Sequence, residues 1–554
     1  MDNTAFEIIS SYEEFQVESS PEMEDVVIFK FGTRRFAFLC PEKDNIASSG
    51  SIFSLDDATF DQPHILLREI DYKGSMLLPK GKYRSVCLYE NGSVIYSLMS
   101  YEEKIVDVVE RLIELLTLSP LQKEKEFQKE FLFYWNSVAQ SGKREIYLNN
   151  DKSFSVLSVY QSTDSVRYIT PGLCLNDLDF VNDGKRTWQQ RIDTTAVYIP
   201  IIDNRGILPP IKNQPWEKEQ ILEIICSDVT NHISAESFLQ LASMQAKYDT
   251  LDVVFGITVM QVPYTFLARI TFRGGNEKNL LERILHNMHS VEALRSQNVG
   301  YCYLNKIIGN DTNIIEKKVV LIGAGSLGSY VASELVKNGF NNLAIYDGDQ
   351  LTSENFMRWY YSGILNKGPK ASRLNLFLEL MHPEIHVEAH DENIDDSKIL
   401  EEMGSADYIV FTVGSSDIQL KLNQVLREYG CKAKVLFVWL EAGGKYSHVL
   451  KIDYRAPGCY QCLFTDDTGN LVNNQANITA EELVEYNTIH NGCGATRAAY
   501  GTSVLLRTTS VLLDILEKEE NMADYGNYLV NISPTSVLYD SGAFVKEACH
   551  CCGN

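Results

Sequence analysis

Residues 317–349 read KKVVLIGAGSLGSYVASELVKNGFNNLAIYDGD, and the fold of the C-terminal half follows from how this stretch divides. VVLIGAG is a short apolar run, rich in β-branched residues, that breaks into glycine. That is the pattern of a buried parallel strand running into a tight turn. SLGSYVASELVKNGF then carries helical spacing at Leu327, Val331, Leu335 and Val336. Asn338-Gly339 stops the helix, and Leu343, Ala344, Ile345 and Tyr346 begin a second strand. The result is one βαβ unit. Gly323, Gly325 and Gly328 are its GxGxxG glycines, which permit the turn, the approach of a phosphate to backbone N–H groups, and close packing of helix on strand.

Glycines and Asp347 alone describe a dinucleotide site, with Asp347 placed for a ribose. The next residues favour a triphosphate. Asn355, Arg358 and Lys370 follow in one short segment and set two permanent cations beside the glycine turn. A buried pyrophosphate needs little such help, whereas a triphosphate attacked at its α-phosphorus needs its β and γ charges held. YIVFTVGSSD reads as a later strand ending in Asp417, an acid at the carboxyl edge of the same sheet that can anchor Mg²⁺. Together these residues describe a Mg-ATP site.

In this arrangement the last 250 or so residues resemble the ThiF and MoeB type of adenylating enzyme, which activates ubiquitin-like proteins and sulfur carriers. The resemblance rests on Asp347 and Asp349 as a D-x-D pair, Asn355 eight residues after the first Asp, Arg358 three later, Lys370 beyond, and Asp417 after a later strand. Lys370 lies one residue closer than the commonest spacing, and Lys367 is a possible stand-in. The resemblance implies a symmetric homodimer in which an arginine reaches the partner's ATP. Arg295 is the candidate, and Lys306 stands where a second arginine is expected.

Composition sets wider bounds. A chain of 554 residues, 45% hydrophobic and 22% charged, is ordinary for a globular protein and too long for one core, so about three domains are expected. No apolar run reaches membrane-spanning length and the acidic start has no signal pattern, which points to the cytoplasm and away from a membrane anchor. A net charge of −24 disfavours nucleic acid as a partner. Twelve cysteines in a chain of this length do not describe a disulfide framework.

The chain divides by its patterns into 1–140, 141–300 and 301–554. The first segment reads as an α+β unit. VVIFKFGTRRFAFLCP gives two strands broken at Gly32-Thr33, more strands follow, and YEEKIVDVVERLIELL is a helix with Ile105, Val108, Val109, Leu112, Ile113 and Leu116 on its apolar face. SVCLYENGSVI with that helix resembles a divergent ubiquitin-conjugating domain, in which Cys87 would be the acceptor cysteine; the alternative is a small buried cysteine in a strand. The middle segment reads as a further α+β unit, expected to dock its neighbours and to help recognise a protein substrate. Its Cys174 precedes a leucine as Cys87 does, without a group to position it.

Beyond Asp417, Cys459-x-x-Cys462 and Cys549-x-x-Cys552 form two knuckles, four thiolates suited to structural Zn²⁺, with His550 or Cys551 able to replace one ligand. Cys493 lies between two glycines at what reads as a helix start, where the thiolate is favoured. In the resembled enzymes the loop crossing the active site carries the acceptor cysteine there, so Cys493 is the expected nucleophile. The whole chain resembles bacterial fusion enzymes of CBASS and related antiphage operons, in which a ubiquitin-conjugating-like domain precedes an activating one. That implies ATP-dependent adenylation of a ubiquitin-like protein ending in glycine, a thioester on Cys493, and transfer to Cys87 or to a separate conjugating protein, then to a target lysine. Two alternatives stay open: a sulfur-carrier adenylyltransferase of thiamine or molybdopterin biosynthesis, and a non-catalytic scaffold partner of an activating heterodimer.

Overall fold

The computed structural model describes residues 3–19, 26–40, 50–55, 62–73, 78–88, 96–148, 151–171, 188–211, 214–227, 229–275, 277–310, 314–315, 317–361, 367–381, 384–490, 496–517 and 526–553. The chain divides into two compact units, Met1–Glu145 with Lys152–Tyr168 and Gln190–Gln297, and Ile146–Asp151 with Ile169–Gln189 and Asn298–Asn554. Among the described residues, no helix is long and apolar enough to cross a membrane.

The first unit has two sheets. One is antiparallel, in the spatial order Phe15–Val17, Val26–Phe31, Arg34–Leu39, Ser51–Ser54, Gly81–Val86, Ile65–Tyr72. Alternate side chains, Val27, Phe29, Phe36, Phe38, Ile52 and Val86, leave one face to pack on Ile105, Val108, Val109 and Leu112 of the helix Tyr101–Leu116. Ser100 starts that helix with a reciprocal cap, taking the Glu103 N–H while the Glu103 carboxylate takes its own. The sequence reading had the Gly32-Thr33 hairpin and this helix, and missed the helix Thr4–Ser10 and the strand Phe15–Val17.

The second sheet runs through Met288–Leu294, Val262–Phe272, Thr250–Val259, Thr195–Pro200 and Ser155–Gln161. Phe131 and Trp135, from the helix Phe131–Val138, pack with Trp216 and Phe266 in its core.

The C-terminal unit carries an eight-stranded sheet in the order His386–His390, Asn342–Tyr346, Lys318–Ile322, Tyr408–Phe411, Lys434–Leu440, Ser447–Ile452, Tyr528–Ile532, Val537–Asp540. The first five are parallel and the rest antiparallel. Val319 and Leu321 enter one core with the helices Ser326–Lys337 and Thr502–Glu517, while Val320 and Ile322 enter the opposite one with Leu422 and Leu426. Burial on both faces explains the unbroken apolar strands. Chain order reverses between Lys318–Ile322 and Tyr408–Phe411, so the loops after these strands part at the carboxyl edge and leave a crevice.

Candidate active site

At that crevice the strand Lys318–Ile322 turns through Gly323, whose φ of +103° suits glycine, and Gly325 starts the helix with open space where a side chain would stand. A Cβ on Gly328 would collide with the Gly323 carbonyl, so helix and turn touch because that residue has none. The turn's carbonyls are drawn inward. Thr412 donates its hydroxyl to Gly323 O at 2.8 Å, and the Trp359 indole donates to Ala324 O at 2.8 Å. The first N–H groups of the helix have no partner within it, a setting suited to phosphate.

Asp347 closes the other side. One of its oxygens accepts the Ala324 N–H at 2.7 Å and the other the Asp349 N–H at 2.9 Å. Burial pushes the Asp347 carboxyl up, and Lys370 opposes this. Lys370 begins the helix Lys370–Met381 with its ammonium 2.7 Å from Asp349. Its side chain is only 11% exposed against 73% for Asp349, so the cation is sunk at the edge while the carboxylate over it faces solvent. Lys367, the alternative, is exposed, and its carbonyl accepts from Arg373.

Asn355 takes the Thr352 N–H and hydroxyl at 3.0 and 3.1 Å, which closes the turn that presents Arg358 and Trp359. Arg358 reaches the Ala498 carbonyl at 3.3 Å, its guanidinium lies 5.0 Å from the Tyr500 ring centre, and its Nε is buried without a hydrogen bond. Asp417 does not end a strand. The strand stops at Phe411, Thr412 turns back to the glycine loop, and Ser415 caps the helix Ser416–Glu428, leaving Asp417 exposed in its first turn. That helix follows the strand Tyr408–Phe411 at the carboxyl edge of the sheet.

The expected helix start at Cys493 is also corrected. Thr488–His490 pairs with Thr496–Ala498 as a hairpin, and the next helix begins at Thr502. Cys493 itself, at 491–495 between the arms, lies outside the described residues, as does Cys174. The Gly443 N–H donates to Ala499 O at 2.8 Å beside the hairpin. Upstream, buried Glu441 takes the N–H groups of Ile478 and Thr479 at 2.8 and 2.6 Å and lies 2.6 Å from His448, whose other ring nitrogen is 2.7 Å from Asn531. Burial alone would raise the Glu441 carboxyl; the bonds from His448, Thr479 and Ile478 outweigh it and hold it at about 2.

Cys459, Cys462, Cys549 and Cys552 converge, with their sulfurs all within 4.8 Å of one another. Cys459 and Cys549 are 3.8 Å apart and Cys462 and Cys552 3.3 Å, which fits a tetrahedral zinc with four thiolates. Cys551 instead accepts from Asn423 at 3.4 Å. In the first unit, Cys87 is exposed just after the strand Gly81–Val86, not buried within it. Arg295 is exposed between the strands Met288–Leu294 and Gln297–Asn298, not on a helix, and its N–H donates to Gln140 O. Lys306 pairs with Asp151 at 2.5 Å. The sequence reading missed Thr412, Tyr500 and the Glu441–His448 pair; only Trp359, directly after Arg358, offered a signal.

Residues 305–544 match the ThiF family. Uncharacterized protein y4oA of Sinorhizobium fredii is 34% identical over 165 residues, 26% of this chain and 27% of its own. The SAMP-activating enzyme E1 of Haloferax volcanii is 26% identical, covering 28% of this chain and 55% of its own. The ATP-dependent ubiquitin transferase-like protein Cap2 of Vibrio cholerae is 24% identical, covering 35% of this chain and 33% of its own. The chain thus spans between about a quarter and about a half of the length of these relatives. The crystal structure of E. coli MccB with ATP aligns at 18% identity and a TM-score of 0.34 over 44% of this chain and 68% of that one. A glycine turn, its acid and its cations at the switch point of a parallel sheet, together with the sequence match, identify the C-terminal unit as a ThiF-family domain of the ThiF/MoeB type.

Proposed function

We propose that this chain uses ATP to adenylate the C-terminal carboxylate of a ubiquitin-like protein ending in glycine, and then carries the acyl group on its own thiols. The observation that supports this most is that Lys370, buried, and Arg358, half-buried, follow a glycine turn at the carboxyl edge of the parallel sheet. In this reading the carboxylate oxygen attacks the α-phosphorus, the P–O bond to pyrophosphate breaks, and Lys370 and Arg358 stabilise the charge gathering on the leaving group. Mg²⁺ at Asp417 would add charge neutralisation there. Arg295 is assigned to the ATP of a second copy in a symmetric dimer. The Cys493 sulfur then attacks the acyl carbonyl and expels AMP, and Cys87 receives the chain by thiol exchange before a target lysine does. Zn²⁺ on the four clustered cysteines is structural. The relatives named for modifier activation and for ubiquitin transfer support the substrate class, and the Vibrio relative together with the operon resemblance supports a role in antiphage defence.

The test is ATP–pyrophosphate exchange with a panel of β-grasp proteins ending in glycine, followed by non-reducing gels. Cys493→Ala should keep exchange and form no thioester, and Cys87→Ala should accumulate a reducible thioester on Cys493. Absence of exchange with every panel member and with free ATP-binding intact would sink the substrate class. Loss of ATP binding itself in Lys370→Ala is expected; its retention would move the triphosphate elsewhere.

A further inference from the structure

Cys87 donates its N–H to the His64 carbonyl at 2.7 Å, and His64 is held in an uncommon way. Its φ of +60° lies in the left-handed region, where a residue with a Cβ is seldom found. Among the described non-glycine residues Met260 and Gln261 share that region, and they form a two-residue hairpin turn that demands it. His64 ends the turn at Pro63–His64 that leads into the strand Ile65–Tyr72. Its N–H donates to the Tyr134 hydroxyl at 3.1 Å, and its ring bridges two carboxylates, Nε2 3.2 Å from Glu126 and Nδ1 3.2 Å from Glu130. Only a ring protonated on both nitrogens donates to both. Burial opposes that charge, but Glu130 and Glu126 outweigh it and raise the imidazole above its ordinary value. Lys129, 2.5 Å from Glu126, is also charged on this face, and Tyr134 lies close enough to Glu130 and Cys87 to interact with both.

We propose that His64, bridged between Glu126 and Glu130, is the positioning residue that presents Cys87 as an acyl acceptor. This rests on the reading of Cys87 as the second thiol of the relay. The two-sided ion pair and the Tyr134 bond hold this turn, and with it the His64 carbonyl, in one place. The pinned carbonyl fixes the Cys87 amide and with it the direction of the thiol, which lowers the entropic cost of attack. In the transfer, the Cys87 sulfur forms a bond to the thioester carbonyl carbon, the departing C–S bond breaks, and the departing thiolate takes up the proton that Cys87 released.

The probe is the 2-mercaptoethanesulfonate thioester of Gly-Gly, offered to the full-length protein, with acylation at Cys87 read by peptide mass spectrometry and Cys40 of the same unit as the internal reference. His64→Asn, chosen because Asn tolerates positive φ, should slow Cys87 about tenfold and leave Cys40 and the circular dichroism unchanged. Glu126→Gln with Glu130→Gln should slow it similarly, although it removes negative charge from the thiol's surroundings. The advantage of wild type over His64→Asn should shrink as pH rises through the raised imidazole value, where the ring loses one of its two donors. Wild-type rates in either variant, or a ratio independent of pH, would overturn the positioning role. A wild-type Cys87 no faster than Cys40 would sink the acceptor reading itself, and neither result depends on ATP–pyrophosphate exchange, which tests the other unit.

Discussion

The carboxyl edge of the C-terminal sheet and the surroundings of Cys87 both gather charge beside a proposed reactive centre, and they are built on different length scales. At the edge, Asp347 meets the Ala324 N–H across 23 residues and Asp349 meets Lys370 across 21. One βαβ unit and the turn after it suffice to assemble the cluster. Around Cys87, His64 meets Glu126 across 62 residues and Tyr134 across 70, joining a loop at the sheet to two later helices. The first arrangement imposes fixed spacings on the chain and so leaves a signature; the second constrains only where distant segments end up.

The largest expected effect breaks this comparison if it fails. Arg358→Ala and Asp417→Ala should each cost at least about 100-fold in ATP–pyrophosphate exchange, since each removes charge stabilisation; Arg358→Ala also gives up the Tyr500 contact, whereas Asp417 is exposed. Thermal unfolding should be nearly unchanged. Exchange at wild-type rates in either would detach the signature from the chemistry, whereas Cys87→Ala should leave exchange untouched because Cys87 is not assigned to ATP.

Next in size is the metal. Elemental analysis should find one zinc per chain, and stripping it with a chelator, or Cys462→Ser, should lower the melting temperature of the C-terminal unit because metal binding is linked to folding. Protein free of metal with an unchanged melting temperature would remove the zinc assignment. Glu441→Gln should then cost about 3 kcal/mol, the scale for breaking a buried charged contact, and should speed hydrogen exchange at Ile478 and Thr479, whose N–H groups the carboxylate holds. The last effect asks whether the legible unit also holds charge with no signature. Burial pushes the Glu384 carboxyl up to about 8 from 4.5, while its oxygen accepts the Tyr301 N–H. The folded chain therefore keeps a proton that the unfolded chain gives up, and stability falls as pH rises from the ordinary carboxylate range towards 8. The slope is about 1 kcal/mol per pH unit in that window. Glu384→Gln should flatten it, and parallel pH curves for the two proteins would refute the claim.

What could be read from the residues alone was the part governed by short range. The glycines, Asp347, Lys370, Arg358 and the cysteine pairs declare themselves by type and spacing, and the parallel sheet by apolar runs buried on both sides. The misreadings have local causes. The run through Thr412, Val413 and Gly414 looked like more strand, but Thr412 spends its hydroxyl on Gly323 O and Ser415 caps a helix, so Asp417 moved onto that helix. The stretch after Cys493 looked helical, but Thr496–Ala498 finds a partner in Thr488–His490, a pairing that helical spacing cannot register. His64, Glu126, Glu130 and Tyr134 were not legible at all, because no periodicity connects a loop histidine to acids two helices away.

The cysteine knuckles have a consequence for the chain as a polymer. Cys459 and Cys549, like Cys462 and Cys552, are 90 residues apart in sequence. One ion on all four closes a loop of that length, and by chain statistics such a cross-link withdraws on the order of 4–5 kcal/mol of freedom from the unfolded ensemble. The loop encloses the hairpin on either side of Cys493, the helix Thr502–Glu517 and the last two strands of the sheet. With that ion bound, the strands Thr488–His490 and Thr496–Ala498 would lie inside a loop closed at both ends.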